Sequence, residues 1–140
     1  MIRKLLFISL GWAVIILIVC AIPGYDLPKS HLFTIPNFDK IVHAALYFPL
    51  AFMLGAEFDL SRKNWLKLAG PALTMLIVAI YGGVIEILQE KLFINRSADL
   101  EDVLFDLIGG LAGLAIFYLF FRPFFRRIAV NRKKPDTKRP

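Results

Sequence analysis

Residues 72–89 read ALTMLIVAIYGGVIEILQ. No charged side chain interrupts this run until Glu86, and Gln89 follows one helical turn later. A helix needs about 20 predominantly apolar residues to cross the hydrocarbon core of a bilayer, and this stretch is close to that length. Lipid offers backbone groups no hydrogen-bond partner, so a spanning segment of this kind must satisfy them internally, as a helix does. Three further runs share its character: residues 5–22, 41–58 and 103–121. The 140-residue chain is 58% hydrophobic with a mean hydropathy of +0.65. A water-soluble domain of this size has too little interior to hide so much apolar surface. The alternating segments of about ten residues that build a membrane barrel are absent from the sequence. The pattern predicts an all-α polytopic membrane protein with four transmembrane helices in a compact bundle. Residues 1–121 form its one domain, and residues 122–140 a basic, disordered tail.

Charge sets the orientation of that bundle. In a four-crossing chain, thirteen of the 17 Lys and Arg residues fall on one side: two at the N-terminus, three in the second loop (Arg62, Lys63, Lys67) and eight in the tail. The other side has Lys29, Lys40, Lys91 and Arg96. Basic loops stay in the cytoplasm, so both termini are expected inside. Eight of the eleven acids then lie at or near the outer face. Arg3 and Lys4 precede an apolar run longer than a usual signal core, with no good small-x-small cleavage site after it, so helix one is expected to be retained. Cys20 is the only cysteine, which excludes an intrachain disulfide. Pro23, Pro28 and Pro36 mark an irregular first outer loop. Pro49 is expected to kink helix two, and Gly70-Pro71 to open helix three. No ordered basic surface or reading motif points to nucleic acid.

Polar residues interrupt the apolar runs near their outer ends. Residues three or four apart share one face of a helix. Asp39, His43 and Tyr47 form one such stripe, with Lys40 beside it; Gly82, Glu86 and Gln89 form a second; Asp99, Asp102, Asp106, Gly109 and Gly113 form a third. Ionisable groups at membrane depth are costly and face a bundle interior or a wet cavity. At about 1.5 Å of rise per residue, His43, Glu86 and Asp106 lie roughly 5–10 Å from their outer helix ends, which permits one shared site. Arg96, in the short third loop, is placed to reach it. Gly109 and Gly113, four apart, suit close helix contact.

The ordered string Asp39-Lys40, His43, Tyr47, Glu86, Gln89, Arg96, Asp102, Asp106, Gly109, Gly113 resembles the VanZ-like family. The resemblance spans about residues 39–113, with Asp106 where the family pattern often has Asn. It implies an integral protein of the bacterial cytoplasmic membrane. Some members are linked to resistance against teicoplanin-like glycopeptides, drugs that bind cell-wall precursors outside the membrane.

Three functional readings follow. In the first, an outward polar pocket binds a membrane-lipid headgroup or a lipid-linked wall precursor, with Arg96 and Lys40 contacting anionic oxygens and Asp102 orienting Arg96. In the second, the protein is an intramembrane hydrolase or transferase in which His43 is a general base and Glu86 or Asp106 an acid; no Ser or Cys in the cluster has the setting of an activated nucleophile. In the third, the polar residues are a hydrogen-bonded plug that fixes helix packing. A metal could gather His43, Glu86 and Asp106, but a single His with scattered acids matches no strong zinc spacing. No metal or other cofactor is therefore assigned.

Overall fold

A computed structural model describes residues 2–22, 37–92 and 99–124 of the chain. All of its regular structure is helical: α1 (Ile2–Ala21), α2 (Phe38–Asp59), α3 (Asn64–Leu92) and α4 (Leu100–Ile116). A π-helical turn over Phe117–Phe121 carries α4 onward, so that the helix as a whole runs Leu100–Phe124. Helices α2, α3 and this extended α4 are long and apolar enough to cross a membrane, whereas α1 offers the shorter apolar stretch Leu5–Ala21. Their outward surface suits lipid. Phe7, Leu68 and Leu111 are 72%, 87% and 62% exposed, within an apolar coat far larger than a water-soluble monomer presents. The first outer loop, Arg96 and residues 125–140 of the basic tail lie outside the described residues.

Lipid tails are as apolar as leucine, so helices in a membrane associate through close packing and interhelical hydrogen bonds rather than through the hydrophobic effect. The α2–α4 pair uses both. A Cβ built on Gly109 would lie 2.1 Å from the Ala44 carbonyl oxygen, and one on Gly113 2.1 Å from the Phe48 carbonyl oxygen. Only bare glycine lets the two backbones approach this closely. Ala44 and Phe48 are themselves one turn apart, so the contact is a seam along both helices. Toward the other end, Phe52 meets Phe117 and Phe121 edge-on at 5.5 and 5.0 Å between ring centroids.

Helix α3 packs on this pair. Gly110 faces Val78, and Gly82 faces Asp106. Helix α1 is fastened by side chains that reach for its backbone, or from it. Tyr81 Oη donates to the Ala13 carbonyl at 2.6 Å, Gln89 Nε2 donates to the Cys20 carbonyl at 3.3 Å, and Trp12 Nε1 donates to the Leu46 carbonyl at 2.8 Å. Ser9 on α1 also donates to Glu57 on α2, where both are buried. These contacts give the chain an up-down arrangement. The end of α1, the start of α2, the end of α3 and the start of α4 share one end of the bundle.

Pro71 corrects the expected start of α3. The helix begins at Asn64, so Pro71 lies inside it and not in its first turn. Residues 64–70 include good helix formers, and the first turn closes with a bond from Lys67 N to the Lys63 carbonyl. Pro71 removes only the amide that would bond Lys67. Gly70, whose Cβ would lie 2.7 Å from Phe58 Cβ, keeps that turn packed on α2. Helix α2 likewise continues through Pro49.

The seam generates a prediction. Alanine at Gly109 or Gly113 must push α2 and α4 apart, and overpacking of this kind costs about 1–3 kcal/mol or more. Gly11 and Gly83 have nothing within 4 Å of a built Cβ, so alanine there should be neutral or slightly stabilising, as helix propensity favours it by about 1 kcal/mol over glycine. Thermal unfolding of the four variants in detergent, followed by size-exclusion chromatography, checks the contrast.

Candidate functional site

The seam brings His43 of α2 against the first turns of α4. His43 Nδ1 lies 2.9 Å from Asp106 Oδ1. An ionised Asp106 can only accept, which puts the proton on Nδ1 and leaves Nε2 with a lone pair. Nε2 faces Asp102 Oδ2 at 3.8 Å, beyond hydrogen-bond reach. Glu86 enters from α3. One ligand atom each from His43, Glu86 and Asp102 lie within 4.8 Å of one another. All four side chains are buried, Asp106 completely. Tyr47, also fully buried, lies beside Asp106 without a hydrogen bond to it.

Local backbone chemistry holds this chamber in place. Asp99 caps α4, its side chain accepting from the Glu101 amide. The Asp99 amide donates to Glu86 Oε2 at 2.7 Å, which ties the end of α3 to the start of α4. A carboxylate at a helix N-terminus is favoured by the helix dipole. Gly82 leaves room for Asp106: a Cβ there would lie 2.5 Å from Asp106 Oδ2. Among the described residues the second Glu86 oxygen, Oε1, has no hydrogen-bond partner; nor do Asp102 Oδ1, Asp106 Oδ2 and the Tyr47 hydroxyl.

Not every candidate residue enters the chamber. Lys40 is buried at its rim, where its Nζ sits 2.6 Å from Asp99, 2.9 Å from Glu101 and 3.7 Å from Asp102. Its ammonium is therefore held by three carboxylates instead of pointing free toward a ligand, and it keeps the Asp99 carboxyl below the usual range. Asp39 is exposed. Gln89 is buried but bonds the last turn of α1. Arg96 lies outside the described residues. Glu101 and the Ser9–Glu57 pair were absent from the candidates. Glu101 does carry a sequence signal, since it is the first-turn acid two residues after an Asp N-cap.

Lys40 turns inward, and Asp39 outward, for a reason of helical phase. At about 100° per residue, positions 40 and 47 lie roughly 20° apart around the axis and positions 39 and 47 roughly 80°. With Tyr47 buried, Lys40 follows it inside.

No solved structure matches the chain. An uncharacterized protein of Schizosaccharomyces pombe is 25% identical over 119 residues, which cover 85% of this chain and 68% of the yeast protein. The model of the VanZ/LLP1 family matches residues 22–121. That span takes in α2, α3 and α4 with every chamber residue, and the chain belongs to the VanZ/LLP1 family.

Proposed function

We propose that this protein binds the polar headgroup of a membrane lipid, or of a lipid-linked envelope precursor, in the chamber formed by His43, Tyr47, Glu86, Asp102 and Asp106. The observation that carries the reading is the set of orphaned atoms. A structural plug satisfies its own buried polar groups. Here four buried oxygens on three helices make no hydrogen bond among the described residues, Asp102 Oδ1 meeting only the Lys40 ammonium at 3.7 Å, and an unsatisfied buried group costs about 1–3 kcal/mol. A ligand that meets them offsets that cost.

The placement favours a headgroup. The chamber lies near one end of an apolar bundle, at headgroup depth, beside the rim residues Lys40, Asp99 and Glu101. The charge distribution along the chain favours the outer face for this end, in a four-crossing protein with both termini in the cytoplasm. In a bacterial cytoplasmic membrane that is the face where wall precursors are displayed and where teicoplanin-like drugs meet them. A part in envelope upkeep or glycopeptide response follows from that position. The relative in a yeast favours the chemistry shared by both kinds of membrane, a phospholipid headgroup, as the ligand.

Native mass spectrometry of the protein released from membranes tests the proposal. Wild type should retain a phospholipid or lipid-linked precursor. Glu86→Gln and Tyr47→Phe, which alter the orphaned groups with little change in shape, should lower its occupancy about tenfold, in keeping with the ~1.5–3 kcal/mol of a charged hydrogen bond. Leu111→Ala, on the outer surface, should not. Equal retention by wild type and both chamber variants would overturn the reading.

A further inference from the structure

We propose that the same chamber is a binding site for one first-row divalent metal ion, with His43 Nε2, Glu86 and Asp102 as ligands and Asp106 as the positioning residue behind His43. The inference rests on the reading of the chamber as a ligand site and names the group that would receive the ligand.

Geometry is the first support. Two ligands ~2.1 Å from a tetrahedral ion sit ~3.4 Å apart. The His43 Nε2–Asp102 Oδ2 separation of 3.8 Å is close to that without an ion, and one ligand atom each from His43, Glu86 and Asp102 fall within 4.8 Å of one another. Small side-chain rotations close the difference. The three ligands come from three helices, α2, α3 and α4, and leave further positions of the ion open toward the chamber, as a site that engages an exogenous oxygen requires.

The state of His43 is the second. Metal-bound histidine almost always donates its other ring N–H to a carboxylate or carbonyl, which fixes the tautomer and aims the lone pair. The 2.9 Å contact of Nδ1 with Asp106 does this, and Nε2 faces Asp102 Oδ2 at 3.8 Å, leaving room between them for an ion. Asp106 is fully buried and is itself held by the bare face of Gly82.

Charge is the third. Glu86, Asp102 and Asp106 place three carboxylates in a buried space with one imidazole. Lys40, the nearest fixed cation among the described residues, lies closer to Asp99 and Glu101 than to Asp102. Glu86 is 5% exposed and its Oε1 lacks a hydrogen-bond partner among the described residues. A dication answers this excess of negative charge where a neutral ligand does not. Exposed Asp39 and Glu101 with half-exposed Asp99 give the entrance an acidic field that draws cations in. One imidazole among carboxylates selects Zn²⁺ or Mn²⁺ over the all-oxygen preference of Ca²⁺ and Mg²⁺. An ion held here also gives the phosphate of a headgroup a cation to meet.

The test uses the full chain in detergent, stripped with a chelator and titrated with Zn²⁺ and, separately, Mn²⁺, with Mg²⁺ and Ca²⁺ as comparison ions. Elemental analysis after desalting should find one Zn²⁺ or Mn²⁺ per chain, and the ion should raise the thermal midpoint. Glu86→Gln and Asp102→Asn should lose binding at least tenfold. Asp106→Asn should lose about 10- to 100-fold, the usual effect of removing the group behind a metal-bound histidine. Should those variants misfold, the Co²⁺-loaded wild type decides alone: a visible spectrum of nitrogen and oxygen coordination supports the site, and the spectrum of the free aqueous ion overturns it. No ion in wild type, or equal binding by folded Glu86→Gln and Asp102→Asn, also overturns it. Lipid retained by protein that binds no metal removes this inference and leaves the headgroup reading standing. Loss of both removes both.

Discussion

The hydrogen bond between His43 and Asp106 joins the two helices that carry most of this protein's interior, and it exists only because two glycines let those helices touch. Gly109 and Gly113 bring the α4 backbone onto the carbonyls of Ala44 and Phe48. With the axes that close, an imidazole one position before Ala44 meets a carboxylate three positions before Gly109 at 2.9 Å. A larger residue at either glycine separates the helices and opens the ring. Packing and site chemistry are thus one constraint in this fold. Apolar association is weak between helices in lipid, so steric fit and buried polar bonds must supply the specificity.

The third and first helices complete the arrangement in different ways. Helix α3 brings Glu86 into the ring and is tied to the cap of α4 through the Asp99 amide. Helix α1 contributes no ionisable group to the ring. Its role is to cover α2 and α3, and it is held there by Tyr81, Gln89 and Trp12. Gln89 illustrates how near the two tasks lie. It is on the face of Glu86, one turn further on, and it satisfies a terminal carbonyl of α1 instead of the chamber. At the opposite end, Asp59 and Arg122 pair at 2.8 Å and Ser9 meets Glu57, so polar bonds close the bundle at both ends.

Much of this was legible in the sequence, and what was not has physical causes. Uninterrupted apolar runs announce helices in lipid, because length and backbone satisfaction leave few alternatives. The stripe of Asp102, Asp106, Gly109 and Gly113 is readable as one buried face because its spacing keeps a constant helical phase. The stripe of Asp39, His43 and Tyr47 misleads because steps of four drift around the axis, and the drift carries Asp39 outside and Lys40 inside. The partners of Lys40 were hidden for another reason. An ion pair between residues 40 and 99 depends on the rotation of two helices about their axes, which spacing along one chain segment does not record. Pro71 shows the limit of local signals: a residue suited to a first turn is tolerated deep in a helix once neighbouring turns are packed.

The chamber depends on His43 and Asp106 acting on one another across α2 and α4. A double-mutant cycle measures that coupling directly. Unfolding of wild type, His43→Ala, Asp106→Ala and the double variant should be followed in the same detergent. Residues in one buried polar network couple by about 0.5–3 kcal/mol, whereas separate sites add to within about 0.3–0.5 kcal/mol. The double variant should be more stable than the sum of the two single losses implies, by about 1 kcal/mol or more. Additive losses would mean that the two side chains do not meet, and the chamber built around them would fall with that result.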